Sequence, residues 1–214
     1  MKTKTKSTQQ KTQVIVFAGL FSAIAVVLYL LEFPVVPGVS HLKLDLSDIP
    51  ALVGAVFFGP AFGVVVELIK NIIELLIKGI GTQMGFGNIM NFLVGCAYVV
   101  PFSIIFRKLF TKDGEKKWKS IVIPSAAGIA CILVVGVAAN YIIAPLFFKY
   151  FMGVEFTSKV LWAAIWGATA LNAIKGVMLS IVIYPLTMLF STRMSSIFKI
   201  QSPDKSENST SDIA

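Results

Sequence analysis

The fold class this sequence predicts is all-α: an integral membrane bundle of six transmembrane helices with both termini cytoplasmic. Three observations predict it. Of 214 residues, 56% are hydrophobic and only 14% charged, where a soluble domain carries about 25% charged residues; mean hydropathy is +0.82. The apolar residues gather into runs of the length a bilayer core requires, about 20 residues each. The basic residues concentrate in alternate connections. Lys2, Lys4, Lys6, Lys11, Arg107, Lys108, Lys112, Lys116, Lys117, Lys119, Arg193, Lys199 and Lys205 fall on one side, against Lys43, Lys78, Lys149 and Lys159 on the other. That bias orients a membrane protein with the basic side inside. The net charge of +8 therefore reads as cytoplasmic loop charge and does not point to nucleic acid.

Residues 1–13 form a basic cytoplasmic tail, expected to be disordered, and residues 14–199 form the membrane domain. Val14 to Phe33 is the first span. It carries small residues four apart, Gly19 with Ala23 and Ala18 with Ser22, a spacing that lets another helix approach closely in lipid. It is too long for a secretory signal and lacks a small-residue cleavage site. Pro34 to Leu46 is an outer connection holding the single histidine, His41, read as a surface residue. Ser47 or Asp48 then caps a second helix with Pro50 in its first turn. That helix stops at Gly59-Pro60, so it is short for a span and is tilted or partly buried in protein.

Pro60 to Lys78 is the third helix. Glu67, Lys70, Asn71, Glu74 and Lys78 share one face of it. Two acids and two bases there are able to neutralise one another. Glu67 and Lys70 are expected to face inward, while Glu74 and Lys78 suit either an inner seam or a solvated end. The glycine-rich GIGTQMGFGN (79–88) lacks the spacing of a phosphate-cradling loop; a lid or ligand contact is the alternative. A fourth helix covers Phe86 to Phe110, with Asn91 near its outer end, and Arg107 to Lys119 forms a basic loop. A fifth covers Ile121 to Phe148, interrupted at Asn140 and Pro145. The sixth closes at Arg193, and residues 200–214 form a polar, disordered cytoplasmic tail.

Enzymatic signatures are missing. The sequence has no HExxH, no GxSxG, no paired histidine ligands and no ATPase motif, and one histidine cannot build a triad or a metal site. Cys96 and Cys131 lie in apolar runs without a CxxC and read as inert. The sequence thus predicts no catalytic residues, no metal and no cofactor. What stands out is ALNAIKG (170–176), which places Asn172 and Lys175 on one face of the last apolar segment. An ammonium at that depth costs about 2.5–3.5 kcal/mol and faces a partner, a cavity or a ligand, unless it snorkels to the headgroups. Helices 4 to 6 offer it no evident carboxylate, and the helix-3 stripe neutralises itself, which favours a bound small molecule. Asn140 lies at comparable depth. Amides and an ammonium suit the edge of a heterocycle with alternating N–H and C=O groups, and Phe86, Trp162 and Trp166 are available to pack a flat ring. The competing reading is that Asn140 and Asn172 only bond neighbouring helices. At the level of function, the alternatives are a self-contained secondary transporter or channel for a small polar aromatic solute and a scaffold subunit without a ligand.

KLDLSDIPALVGAVFFGPAFGVVVELIKNIIE (43–74), the glycine-rich loop, NFLVG (91–95) and the N…NxxK set at Asn140, Asn172 and Lys175 resemble the riboflavin-specific substrate-binding (S) components of energy-coupling factor (ECF) transporters. The resemblance covers roughly residues 13–195 and is strongest over 43–95. It implies a multi-pass protein of the bacterial cytoplasmic membrane that captures riboflavin, as cargo, from outside. It then delivers the vitamin with a transmembrane coupling subunit and two ATP-binding subunits. It also implies that Asn140, Asn172 and Lys175 hold the ring, that Leu44 contributes from the loop before helix 2, and that Gly81, Thr82 and Gly85 cover the site. The small face of helix 1, at Ala18, Gly19, Ser22 and Ala23, docks the coupling subunit by the same resemblance. An S component for another vitamin is the nearest alternative.

Overall fold

The computed structural model describes residues 2–31, 33–34, 43–79, 85–112, 118–147, 149–150, 153 and 157–201. His41, Gly81, Thr82 and residues 202–214 lie outside this set. Among the described residues six helices carry the fold: α1 (Lys2–Leu30), α2 (Asp48–Phe58), α3 (Pro60–Lys78), α4 (Phe86–Lys112), α5 (Lys119–Phe147) and α6 (Ser158–Gln201). The one non-helical pairing among the described residues is a pair of two-residue strands. In it β1 (Phe33–Pro34) runs antiparallel to β2 (Lys43–Leu44), with Phe33 opposite Leu44.

Several boundaries differ from the sequence expectation. Helix α1 begins at Lys2, so the basic N-terminal segment continues the first helix. Arg107 lies inside α4, which runs on to Lys112, and α6 continues past Arg193 to Gln201. Asn140 and Pro145 do not interrupt α5, which is continuous to Phe147. Proline lacks one backbone donor, and a membrane helix held by neighbours tolerates that loss.

Among the described residues, four helices are long and apolar enough to cross a membrane, over Thr12–Leu30, Phe86–Phe110, Lys119–Leu146 and Leu161–Thr187. Helix α2 has 11 residues, about 16 Å at the helical rise, and is too short to cross alone. It sits at the middle of the bundle, against α1, α3, α4 and α6. Its residues Pro50, Ala51, Leu52, Gly54, Ala55 and Val56 are buried. Helix α1 packs on α2 and α3, α3 on α4, α4 on α5, and α5 on α6.

The α2–α3 elbow turns at Gly59, whose φ of 107° is a conformation that side-chain-bearing residues avoid. Phe58 and Phe62 flank it and pack on α1, Phe58 stacked on Phe17 and Phe62 edge-on to Phe21. Arg107 caps the open end of α2, donating to the carbonyls of Val56 at 3.3 Å and Phe57 at 3.2 Å, where helices leave acceptors unsatisfied. Close approach of α3 to its neighbours depends on Gly63. A Cβ there would lie 2.6 Å from Val99 and 2.7 Å from Ala55. On α4, Tyr98, Phe102, Phe106 and Phe110 recur every fourth residue and form a stacked ladder with centroids 5.4–5.9 Å apart, the i, i+4 geometry of one helix face.

Candidate functional site

Lys175 lies near the middle of the Leu161–Thr187 span and is 7% exposed. The helical period turns Asn172, one turn earlier, to the same side. Trp162 and Trp166 are exposed on α6, Trp162 beside the Tyr141 ring, and neither is buried in the site as the sequence expectation had it. On α5 the Asn140 amide donates to the Gly136 carbonyl at 2.8 Å. Gly136 is also where the Asn172 amide lands: a Cβ on Gly136 would collide with the Asn172 nitrogen. The glycine is what lets the two amides share one level. Asn140 and Asn172 are both half-buried.

The environment of Lys175 overturns one expectation. The lysine does have carboxylate partners, and they come from the start of α2. Its ammonium lies 2.9 Å from Asp48 and 3.4 Å from Asp45, and donates to the Asn91 oxygen of α4 at 3.2 Å. The α3 stripe pairs within itself as expected, Lys70 lying 2.7 Å from Glu67 and Lys78 3.9 Å from Glu74, and Lys70 in addition donates to Asp48 at 2.6 Å. Asp48 therefore bridges two lysines, Lys70 and Lys175. Asp48, Glu67 and Lys70 are completely buried, so each charge depends on the others. Further along α3, Asn71 and Glu74 are buried too, which settles the inner seam for Glu74. Lys78 turns outward, to the Tyr29 hydroxyl at 2.5 Å and over its ring at 4.1 Å.

The segment before α2 explains how these acids reach mid-span depth. Asp45 accepts from the Ser47 backbone N–H at 2.9 Å and from the Ser47 hydroxyl. Ser47 occupies the cap position but makes no side-chain cap bond itself. The capping role expected of Ser47 or Asp48 thus passes in part to Asp45, and Asp48 is released to pair with lysines. Because α2 begins beside Lys175, 11 residues suffice to reach the elbow.

Glu67 packs against Gly95, where a Cβ would sit 2.7 Å from a carboxylate oxygen. Gly85 has a φ of 74° and lies against the Leu75 side chain, on the connection that leads into α4. Leu44 pairs with Phe33 in the small ladder, which begins three residues beyond the end of α1. On α1, Ala18 and Ser22 are buried, Ser22 donating to the Ala18 carbonyl at 2.7 Å. Gly19 and Ala23 face outward, and nothing lies within 4 Å of a Cβ placed on Gly19. The four small residues therefore belong to two adjacent faces, one buried and one exposed.

Asp45, Asp48 and Asn91 escaped the sequence reading. The available signal was two carboxylates, three apart, heading an apolar helix in a chain with buried lysines.

The matching family model is that of the ECF transporter, substrate-specific component, over residues 13–187. A riboflavin transporter, FmnP, of Bacillus subtilis (strain 168) is 30% identical over 175 residues, 80% of this chain and 88% of that one. A riboflavin transporter, RibU, of Staphylococcus aureus (strain TCH60) is 27% identical over 183 residues, 85% of this chain and 92% of its own. A solved structure described as the S component of a bacterial ECF transporter superposes with a TM-score of 0.65 at 25% identity, covering 88% of this chain and 99% of that one. The helical bundle, the membrane-length helices and these likenesses agree: the chain is a membrane transport component, not an enzyme, and it belongs to the substrate-specific components of ECF transporters.

Proposed function

We propose that this chain captures riboflavin from outside the bacterial cytoplasmic membrane, crossing it six times with both termini inside, and delivers it with an ECF energy-coupling module. The observation that carries the reading is the polar wall at mid-span. Asn172 and Lys175 share a face of α6, Asn172 lies against Gly136, to whose carbonyl Asn140 donates, and Lys175 lies beside Asn91 and Asp45. A flavin ring edge offers alternating donors and acceptors to such a wall, and both relatives named above are riboflavin transporters. Leu44 and Gly85, with Gly81 and Thr82, fit the role of outer contacts by their place in the chain. Riboflavin is cargo in this reading, not a cofactor. The remaining two crossings fall to the α2–α3 unit, whose charged face is shielded by the surrounding helices.

The test is a titration of the purified chain with riboflavin, followed by quenching of flavin fluorescence. Saturable quenching at one site per chain is expected, with a yellow preparation when the cells are grown on the vitamin. Absence of quenching, or tighter binding of an unrelated vitamin, would replace the ligand.

The module consists of a transmembrane coupling subunit and two ATP-binding subunits. The surface that suits the coupling subunit is the outward face of α1. There Gly19 and Ala23 leave a shallow strip between exposed Val16, Leu20 and Val27, the kind of face on which helices approach closely in lipid. Ala18 and Ser22 are spent on the chain's own interior. Gly19→Leu is expected to abolish ATP-dependent uptake in cells that express the module while leaving riboflavin binding by the solitary chain intact. Uptake at the wild-type rate would remove this strip from the docking surface.

A further inference from the structure

The lysine head in the candidate site is already engaged by three oxygens. An ammonium carries three protons; Lys175 donates to Asn91 at 3.2 Å and to Asp45 at 3.4 Å and forms an ion pair with Asp48 at 2.9 Å. A ligand that bonds to Lys175 has to replace one of them. We infer that the two aspartates act on capture in opposite senses: Asp48 is a positioning residue that holds Lys175 in place, and Asp45 occupies the coordination position the ligand takes over.

Three features single out Asp45 as the group that leaves. It makes the longest of the three approaches. It is also the only one carried on irregular backbone, between β2 and α2, whereas Asp48 and Asn91 are fixed by helices. The third feature is the pairing. Asp45 is joined to one ammonium, that of Lys175, which keeps Asp48 at 2.9 Å when Asp45 withdraws. Withdrawing Asp48 would strip Lys70 and Lys175 of their shared anion in a fully buried setting. Asn91 is neutral, so its replacement would leave Lys175 held by both carboxylates. Asp45 continues directly into β2, whose partner strand follows α1, so the exchange also bears on the segment at the outer end of the site.

This inference rests on the riboflavin reading, and the experiment separates the two. Riboflavin affinity is measured by fluorescence quenching for the wild-type chain, Asp45→Asn and Asp48→Asn, with a thermal melt of each. An asparagine at position 45 keeps a carbonyl for Ser47 and removes the charge that competes for Lys175. The expected result is a gain of threefold or more in affinity for Asp45→Asn and a loss of tenfold or more for Asp48→Asn. A role in folding alone would move both in the same direction. Unchanged or weaker binding by a folded Asp45→Asn overturns the inference while the ligand reading stands, as does unchanged binding by Asp48→Asn. Should Asp48→Asn fail to fold, the sign of the Asp45→Asn change decides alone. A wild-type chain that does not bind riboflavin overturns the ligand reading, and this inference with it.

Discussion

Lys70→Met is expected to be the most destabilising single substitution in the chain. The lysine is completely buried and lies 2.6 Å from Asp48 and 2.7 Å from Glu67, both also completely buried. Methionine fills most of its volume, so packing changes little. The damage is electrostatic. Removing one member of a buried ionic cluster costs about 3–5 kcal/mol, because the remaining charge has neither water nor a counterion. Asp48 keeps Lys175 at 2.9 Å, which leaves Glu67 as the stranded group, wedged against Gly95. Two measurements check this. The melting midpoint of Lys70→Met in detergent should fall well below wild type, and adding Glu67→Gln should restore much of the loss by removing the stranded charge. A single variant that melts with the wild type, or a double variant no better than the single, would show that the Glu67–Lys70–Asp48 chain does not hold α2 on α3.

Lys175→Ala should act on the other side of the same cluster and with a different signature. Here the principal loss is binding. A hydrogen bond to a charged group contributes about 1.5–3 kcal/mol, so riboflavin affinity should fall tenfold or more. The stability loss should be smaller than for Lys70→Met, because Asp48 retains Lys70, and Asp45 lies on the irregular segment before α2. Titration and melting of the same preparations separate the two effects. Unchanged affinity would take Lys175 out of the ligand site and leave it a purely internal counterion for Asp45 and Asp48. The comparison of Lys70 with Lys175 is therefore the sharpest division between what builds the fold and what captures the ligand.

The sequence by itself determined the all-helical membrane class, the position of each helix to within a few residues in the apolar core, and the face shared by Asn172 and Lys175. These are local properties. Apolar run length, glycine-proline breaks and the helical period are written in consecutive residues. Helix ends were less legible: α1, α4 and α6 run on into basic segments, because lysine and arginine are good helix formers and composition alone reads them as tails. What only the tertiary structure decided was the partner of each buried charge. The sequence offered Glu67 and Glu74 to Lys70 and Lys78 because they share a helix, and offered Lys175 nothing. In the fold, α2 starts at mid-span depth and brings Asp48 to Lys70, 22 residues away in sequence, and Asp45 to Lys175, 130 residues away. No periodicity encodes such pairings. They follow from where a short central helix is placed among its neighbours, and from the need of every buried charge for a counterion once water is gone.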